Sequence, residues 1–147
     1  MQTDKDEYIF ERIASALERI SPPTFKNVDL NAAEGFVYEA KKQFLKPINK
    51  INRIPIDLLK GLEPQKDLLL KNTNYFANDL PANNALLWGA KGTGKSSLVK
   101  SVHAEIINKN TNNNLKLVEI HREDIINLPE LLSILSKYAD FKFILLC

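Results

Sequence analysis

Apolar residues recur along this chain with two different periods. From Asp4 to Ile20, the residues Ile9, Phe10, Ile13, Ala14, Leu17 and Ile20 fall at helical spacing. Thr3 or Asp4 suits the cap of that helix, and Ser21-Pro22-Pro23 ends it. Ala33, Phe36, Val37 and Ala40 predict a second helix over Asn31 to Phe44, closed by Pro47. A third begins near Pro64, a residue suited to the first helical turn, with Leu68, Leu69, Asn72, Phe76 and Leu80 on one stripe. Leu80 to Asn84 reads as a turn.

Beyond that turn the pattern alternates between strand and helix. Ala85 to Trp88 predicts a short buried strand, with Trp88 packed in the core, and Lys95 to Asn108 an amphipathic helix burying Leu98, Val99, Val102, Ile106 and Ile107. Asn108 to Asn114 is a polar loop, Leu115 to Ile120 a strand with period-two alternation, and Glu123 to Lys137 a helix. The last strand, Phe141 to Cys147, is apolar in five of seven positions, and its neighbours predict a buried, inert Cys147. Strand, helix, strand, helix, strand implies an α/β fold with a parallel sheet. The expected organisation is an α-helical region over residues 1–53 and an α/β core over 54–147.

Composition adds little. With 147 residues, 44% hydrophobic and 26% charged, the chain has the make-up of a soluble globular protein. Its single cysteine excludes a disulfide framework and a cysteine-based zinc site. The start has no signal-type apolar core, and no run approaches the roughly 18 apolar residues of a membrane span. These features predict a cytoplasmic protein with no membrane partner. The net charge of +2 is no nucleic-acid signature. Lys41, Lys42, Lys46, Lys50 and Arg53 do form a run without an acid, which suits either a solvated face or an anionic partner such as nucleic acid. His103 lies near the buried stripe of its helix and is expected to be packed, and His121 at a strand end reads as capping and solvation.

The chemistry sits in "GAKGTGKS", Gly89 to Ser96, which matches the phosphate-loop pattern G-x-x-x-x-G-K-[ST]. Gly89, Gly92 and Gly94 permit positive φ, so that successive N–H groups, from Ala90, Lys91 and Thr93 to the helix start at Lys95, Ser96 and Ser97, face one concavity. The helix start adds a partial positive charge there. Lys95 is placed to meet the β- and γ-phosphates, and the Ser96 hydroxyl to ligate Mg²⁺. The motif follows an apolar segment and opens an amphipathic helix, the context it requires. A dinucleotide fingerprint fails because Ser97 stands where its third glycine belongs.

The stretch "LLKGLEPQKDLLLKNTNYFANDLPANNALLWGAKGTGKSSLVK", together with "GFVYEA" and "VEIHREDIINLPELLSILSKYADFKFILLC", resembles a family of uncharacterised bacterial AAA+-type ATPases, a predicted-ATPase domain of unknown function. The resemblance covers roughly Gly35 to Cys147. It implies a P-loop NTPase fold, ATP as the nucleotide, and Leu59, Gly61 and Leu62 as contacts to adenine. It also implies that Phe141 to Cys147 is the Walker B strand, with an acidic pair following it to hold Mg²⁺ and orient water. The chain is therefore expected to be truncated after its third core strand, to bind ATP and to hydrolyse it poorly. In that family's sheet later strands flank the P-loop strand, so Ala85 to Trp88 is expected to have exposed edges. The parent is expected to be an oligomeric ATPase that remodels a protein partner. The alternatives are a P-loop small-molecule kinase and a non-hydrolysing nucleotide-binding interaction module.

Overall fold

The computed structural model describes residues 3–20, 28–109 and 114–147. Four helices occur among them: α1 (Thr3–Ile20), α2 (Glu63–Ala77), α3 (Lys95–Lys109) and α4 (Leu128–Leu135). Four strands, β1 (Gly35–Glu39), β2 (Phe44–Pro47), β3 (Leu115–Ile120) and β4 (Lys142–Leu146), form one sheet in the order β2-β1-β3-β4. β3 runs parallel to both β1 and β4, and β2 is antiparallel to β1, so the sheet is mixed where a parallel one was expected.

The two sheet faces carry separate cores. Phe36, Tyr38, Val118, Ile120, Phe143 and Leu145 face α4 with its Leu131, Ile134 and Leu135. Leu115 and Ile144 belong to the other core, with Leu69 of α2 and Leu98, Val102 and Ile106 of α3. The alternation along β3 and β4 assigns successive side chains to opposite faces, and helices cover both. On the α4 face the Tyr38 hydroxyl and the Gln43 amide both donate to the Glu130 carboxylate. Burial, with Glu130 beside it, pushes the Tyr38 phenol up to about 12.

Four sequence expectations change. The helix predicted over Asn31 to Phe44 is a hairpin: β1 and β2, joined by a tight turn with Gln43 left-handed at φ 47°. Gly-Phe-Val-Tyr-Glu is poor in helix formers and rich in β-branched and aromatic residues, and pairing with β3 settles the matter. Residues counted with the N-terminal helical region thus join the central sheet. Ala85 to Trp88 forms no strand, so the expectation of a strand with exposed edges does not apply, and Leu86 and Trp88 are 88% and 87% exposed, which takes Trp88 out of the core. The helix predicted over Glu123 to Lys137 divides into a 3₁₀ segment, Arg122–Asn127, and α4, because Pro129 is tolerated only in a first turn. Cys147 lies beyond β4 and is exposed.

The α2 stripe also turns. Leu69 and Thr73 are buried, whereas Leu68 is 73% exposed and Leu80 lies beyond the helix. α1 forms as predicted, but Ile9, Phe10, Ile13, Leu17 and Ile20 on its apolar stripe are all exposed. In the basic run, Lys42 and Lys46 pair with Glu39, and Arg53 pairs with Glu34. Ile51 is buried and Phe44 and Ile48 are half-buried, which suits a segment docked on the core. Part of the predicted polar loop, residues 110–113, lies outside the described residues.

α3 lies antiparallel to β3: His103 meets the start of β3, and Lys100 pairs at 2.8 Å with Glu119 near its end. His103 is fully buried, as its helical position predicted. Its Nε2 is 3.1 Å from the Leu115 carbonyl, and its Nδ1 is 3.1 Å from Arg53 Nη2. A carbonyl only accepts and a guanidinium only donates, so the imidazole is neutral with its proton on Nε2. Burial pushes its pKa down to about 4, and the Arg53 cation acts in the same direction.

This group has a pH signature. Between about pH 6.5 and pH 4 the unfolded chain protonates this histidine and the folded chain does not, so stability falls as pH falls through that window. From pH 7 to pH 5 the wild type is expected to lose about 2 kcal/mol more stability in urea unfolding than His103→Gln. Parallel losses in the two proteins would contradict the neutral assignment. A second prediction concerns the sheet. A Cβ on Gly35 would lie 2.7 Å from Ile51 Cδ1 and 3.4 Å from the Leu117 carbonyl. Gly35→Ala is expected to cost about 1–3 kcal/mol, and Ile51→Val in the same chain to recover part of that, a non-additivity readable in a double-mutant cycle.

Candidate phosphate-binding loop

The chain enters the loop from an extended segment held at two points. Asn72 of α2 donates to the Asn83 carbonyl at 2.7 Å and accepts from the Asn83 N–H at 2.9 Å, and Leu87 packs into the α2/α3 core. Asn72 was expected on a helix stripe; its work is this clasp, and an asparagine opposite a polar turn was the one available sign of it.

Gly89, Gly92 and Gly94 have φ values of 142°, 85° and 81°. No atom lies within 4 Å of a Cβ built on Gly92, so backbone conformation rather than crowding calls for glycine there. These turns deliver the chain into α3, whose first bond is Leu98 N–H to the Gly94 carbonyl at 2.8 Å. The N–H groups of Lys95, Ser96 and Ser97 precede it and have no acceptor within the helix. Since α3 runs antiparallel to β3, they lie toward the carboxyl end of that strand, where open α/β sheets receive ligands.

The Lys95 ammonium folds back into the loop. It donates to the carbonyls of Gly89 (2.9 Å) and Ala90 (2.6 Å) and to Thr93 Oγ1 (3.2 Å), while the Thr93 hydroxyl donates to the Ala90 carbonyl at 2.9 Å. Lys91 and Ser96 are exposed, and Ser97 is half-buried. The loop is thus an open rim around one cation whose three acceptors are all neutral.

The residues expected at adenine divide. Leu59 is buried in the α2/α3 core, so its side chain serves packing. Gly61 is left-handed at φ 76° and exposed, and its N–H donates to Glu63 at 3.2 Å. Bonds from the Glu63 and Gly61 backbone N–H groups hold the Glu63 carboxyl below its usual range. Leu62 reaches the loop: a Cβ on Gly94 would stand 3.8 Å from its Cδ1. Leu62 and the glycine loop are therefore neighbours across more than thirty residues of sequence.

Other features lie elsewhere. A cavity of about 390 Å³ opens where α2 and α3 end and β3 and β4 begin, the opposite end of α3 from the loop. Both its cations are already engaged, Lys142 by Asp79 (2.8 Å) and the Ala77 carbonyl (3.0 Å), and Lys109 by Glu105 (2.8 Å). His121 is exposed at the end of β3. Among the described residues, no three His, Cys, Asp or Glu side chains converge as a metal cage, and no helix is long and apolar enough to cross a membrane.

No curated protein and no solved structure matches the chain. One family model does, over residues 31–147, which takes in the whole sheet, the glycine loop and α2 to α4 and leaves out α1. The chain therefore belongs to the family described as Protein of unknown function (DUF815).

Proposed function

We propose that this chain is the nucleotide-binding part of an AAA+-type P-loop ATPase, holding ATP and Mg²⁺ on Gly89 to Ser97. The observation that carries the reading is the junction of loop and helix. Three glycines at positive φ lead into α3, with the Lys95, Ser96 and Ser97 N–H groups unclaimed by the helix and the Lys95 ammonium in the loop's mouth. A triphosphate is an anion with many acceptor oxygens, and charge-assisted bonds to it are about twice as strong as those to neutral acceptors. Phosphate therefore displaces the Gly89 and Ala90 carbonyls from Lys95. Ser96 offers its exposed hydroxyl to Mg²⁺, and Leu62 with the Gly61 backbone forms the wall for the base.

Catalysis is a separate matter. Phosphoryl transfer depends on acids that hold the metal and orient the attacking water. In this reading Gly89 to Ser97 supply the binding half of that machinery. Oligomerisation and remodelling of a protein partner are further parts of the same reading.

Lys95→Ala is expected to weaken ATP binding by about ten- to a hundredfold, the value of a hydrogen bond to a charged group, in a calorimetric titration. Its thermal melt should match the wild type, because Lys95 bonds only to its own loop. Unchanged affinity would remove the loop as the site. Ser96→Ala should weaken ATP binding about three- to tenfold with Mg²⁺ present and leave it unaltered in a chelator. Equal losses under both conditions would take the metal away from Ser96.

A further inference from the structure

Residues 53–62 run along α3 in the opposite direction to the helix. Arg53 meets His103 (3.1 Å), Ile54 meets Ser101, Leu59 packs with Leu98 and Val102, and Leu62 reaches Gly94. Sequence number rises along the segment as it falls along the helix, so the segment is laid down toward the glycine loop.

Its far end carries the polar bonds to α3. Ser101 Oγ is 2.5 Å from the Ile54 carbonyl and 2.8 Å from the Ser97 carbonyl. The hydroxyl has one proton for the two carbonyls, and the shorter separation is the one to Ile54. Ser101 is 2% exposed, so this is a buried tie rather than a surface contact. Beside it, Arg53 bonds Glu34 at 2.8 Å through Nη1 and His103 through Nη2. The near end, Leu59 to Leu62, is held by apolar packing, by the exposed Gly61 N–H bond to Glu63, by the Leu59 N–H bond to the Ile56 carbonyl at 3.2 Å, and by the Leu62 carbonyl, which accepts from Lys66 N–H of α2 at 2.8 Å.

We infer that Ser101 and Arg53 are positioning residues that set the distance between the Leu59–Leu62 segment and the phosphate loop, and so give the site its preference for a nucleoside triphosphate over bare triphosphate. This rests on the nucleotide-site reading above. Neither residue touches the ligand. They fix one end of a ten-residue segment to the helix that carries the loop at its other end, so the base wall and the phosphate cradle move as one body. Without the tie the cradle keeps its glycines, its lysine and its helix start, while the wall is held by hydrogen bonds from the α2 side alone and its register against α3 loosens.

The experiment compares ATP with inorganic tripolyphosphate, which fills the cradle and has no base, on the 147-residue chain. Ser101→Ala and Arg53→Met are expected to weaken ATP about three- to tenfold while tripolyphosphate changes less than about twofold. Leu131→Val, a lesion in the core on the other face of the sheet, serves as the control for general softening and should alter neither ratio. Selective loss in the two tie variants and not in the control supports the inference. Parallel loss of both ligands, no loss of either, or the same selectivity change in Leu131→Val overturns it. Wild-type chain that binds both ligands equally overturns it too and leaves the phosphate site standing. Wild-type chain that binds neither overturns the nucleotide-site reading itself.

Discussion

β3 is buried on both faces, and the rest of the structure follows from that. Leu117 and Val118 are fully inaccessible, with Leu115 turned to the α2/α3 core and Ile120 to the α4 core. A strand in this position must be nearly all apolar and must pair on both edges, which β1 and β4 do. Two charged residues interrupt the run: Glu119, half-buried and paired with Lys100, and Lys116. Lys116 is 2% exposed, its ammonium lies 5.6 Å from the centre of the Phe141 ring, and burial lowers its pKa against the opposing attraction of Glu34 and Asp29. The strand keeps a cation in its interior because ring and carboxylates offset part of the desolvation.

α3 belongs to this core and to the candidate site at once. Leu98, Val102 and Ile106 lock it against the sheet, His103 ties it to the Leu115 carbonyl, and Lys100 pairs with Glu119. A helix fixed along its length holds the N–H groups of its first turn in a fixed place. Preorganised donors of that kind cost no rearrangement when an anion arrives. The loop ahead of it has no such anchoring and takes its shape from three glycine φ values and from Lys95.

How legible this was depended on the range of the interaction. α3, β3 and β4 were readable because each is long or apolar enough for its own period to decide it. The glycine loop was readable because the requirement for positive φ is written in residue type. β1 was misread because Ala33, Phe36, Val37 and Ala40 fit helical spacing, while Phe36 and Tyr38 also fit the alternation of a strand. Only the neighbour β3 distinguishes the two. Ala85 to Trp88 was misread for the converse reason: apolar content suggests a strand, but a strand needs a partner, and the sheet supplies none there. The Arg53–His103 and Ser101–Ile54 ties join residues 50 and 47 positions apart, and no local pattern announces such contacts.

The absence of that strand bears on how the loop works. In the described structure the approach to Gly89 is not held by a ladder of backbone bonds. It is held by the Asn72–Asn83 clasp and by one apolar side chain, Leu87, with Leu86 and Trp88 exposed on either side. The Lys95 ammonium meanwhile bridges the two ends of the loop, bonding Gly89 and Ala90 from its own place on the first turn of α3. Among the described residues, that bridge, the Asn72–Asn83 clasp and Leu87 join the approach to Gly89 to α2 and α3, so its position is set by side chains from two helices where a strand would use backbone bonds.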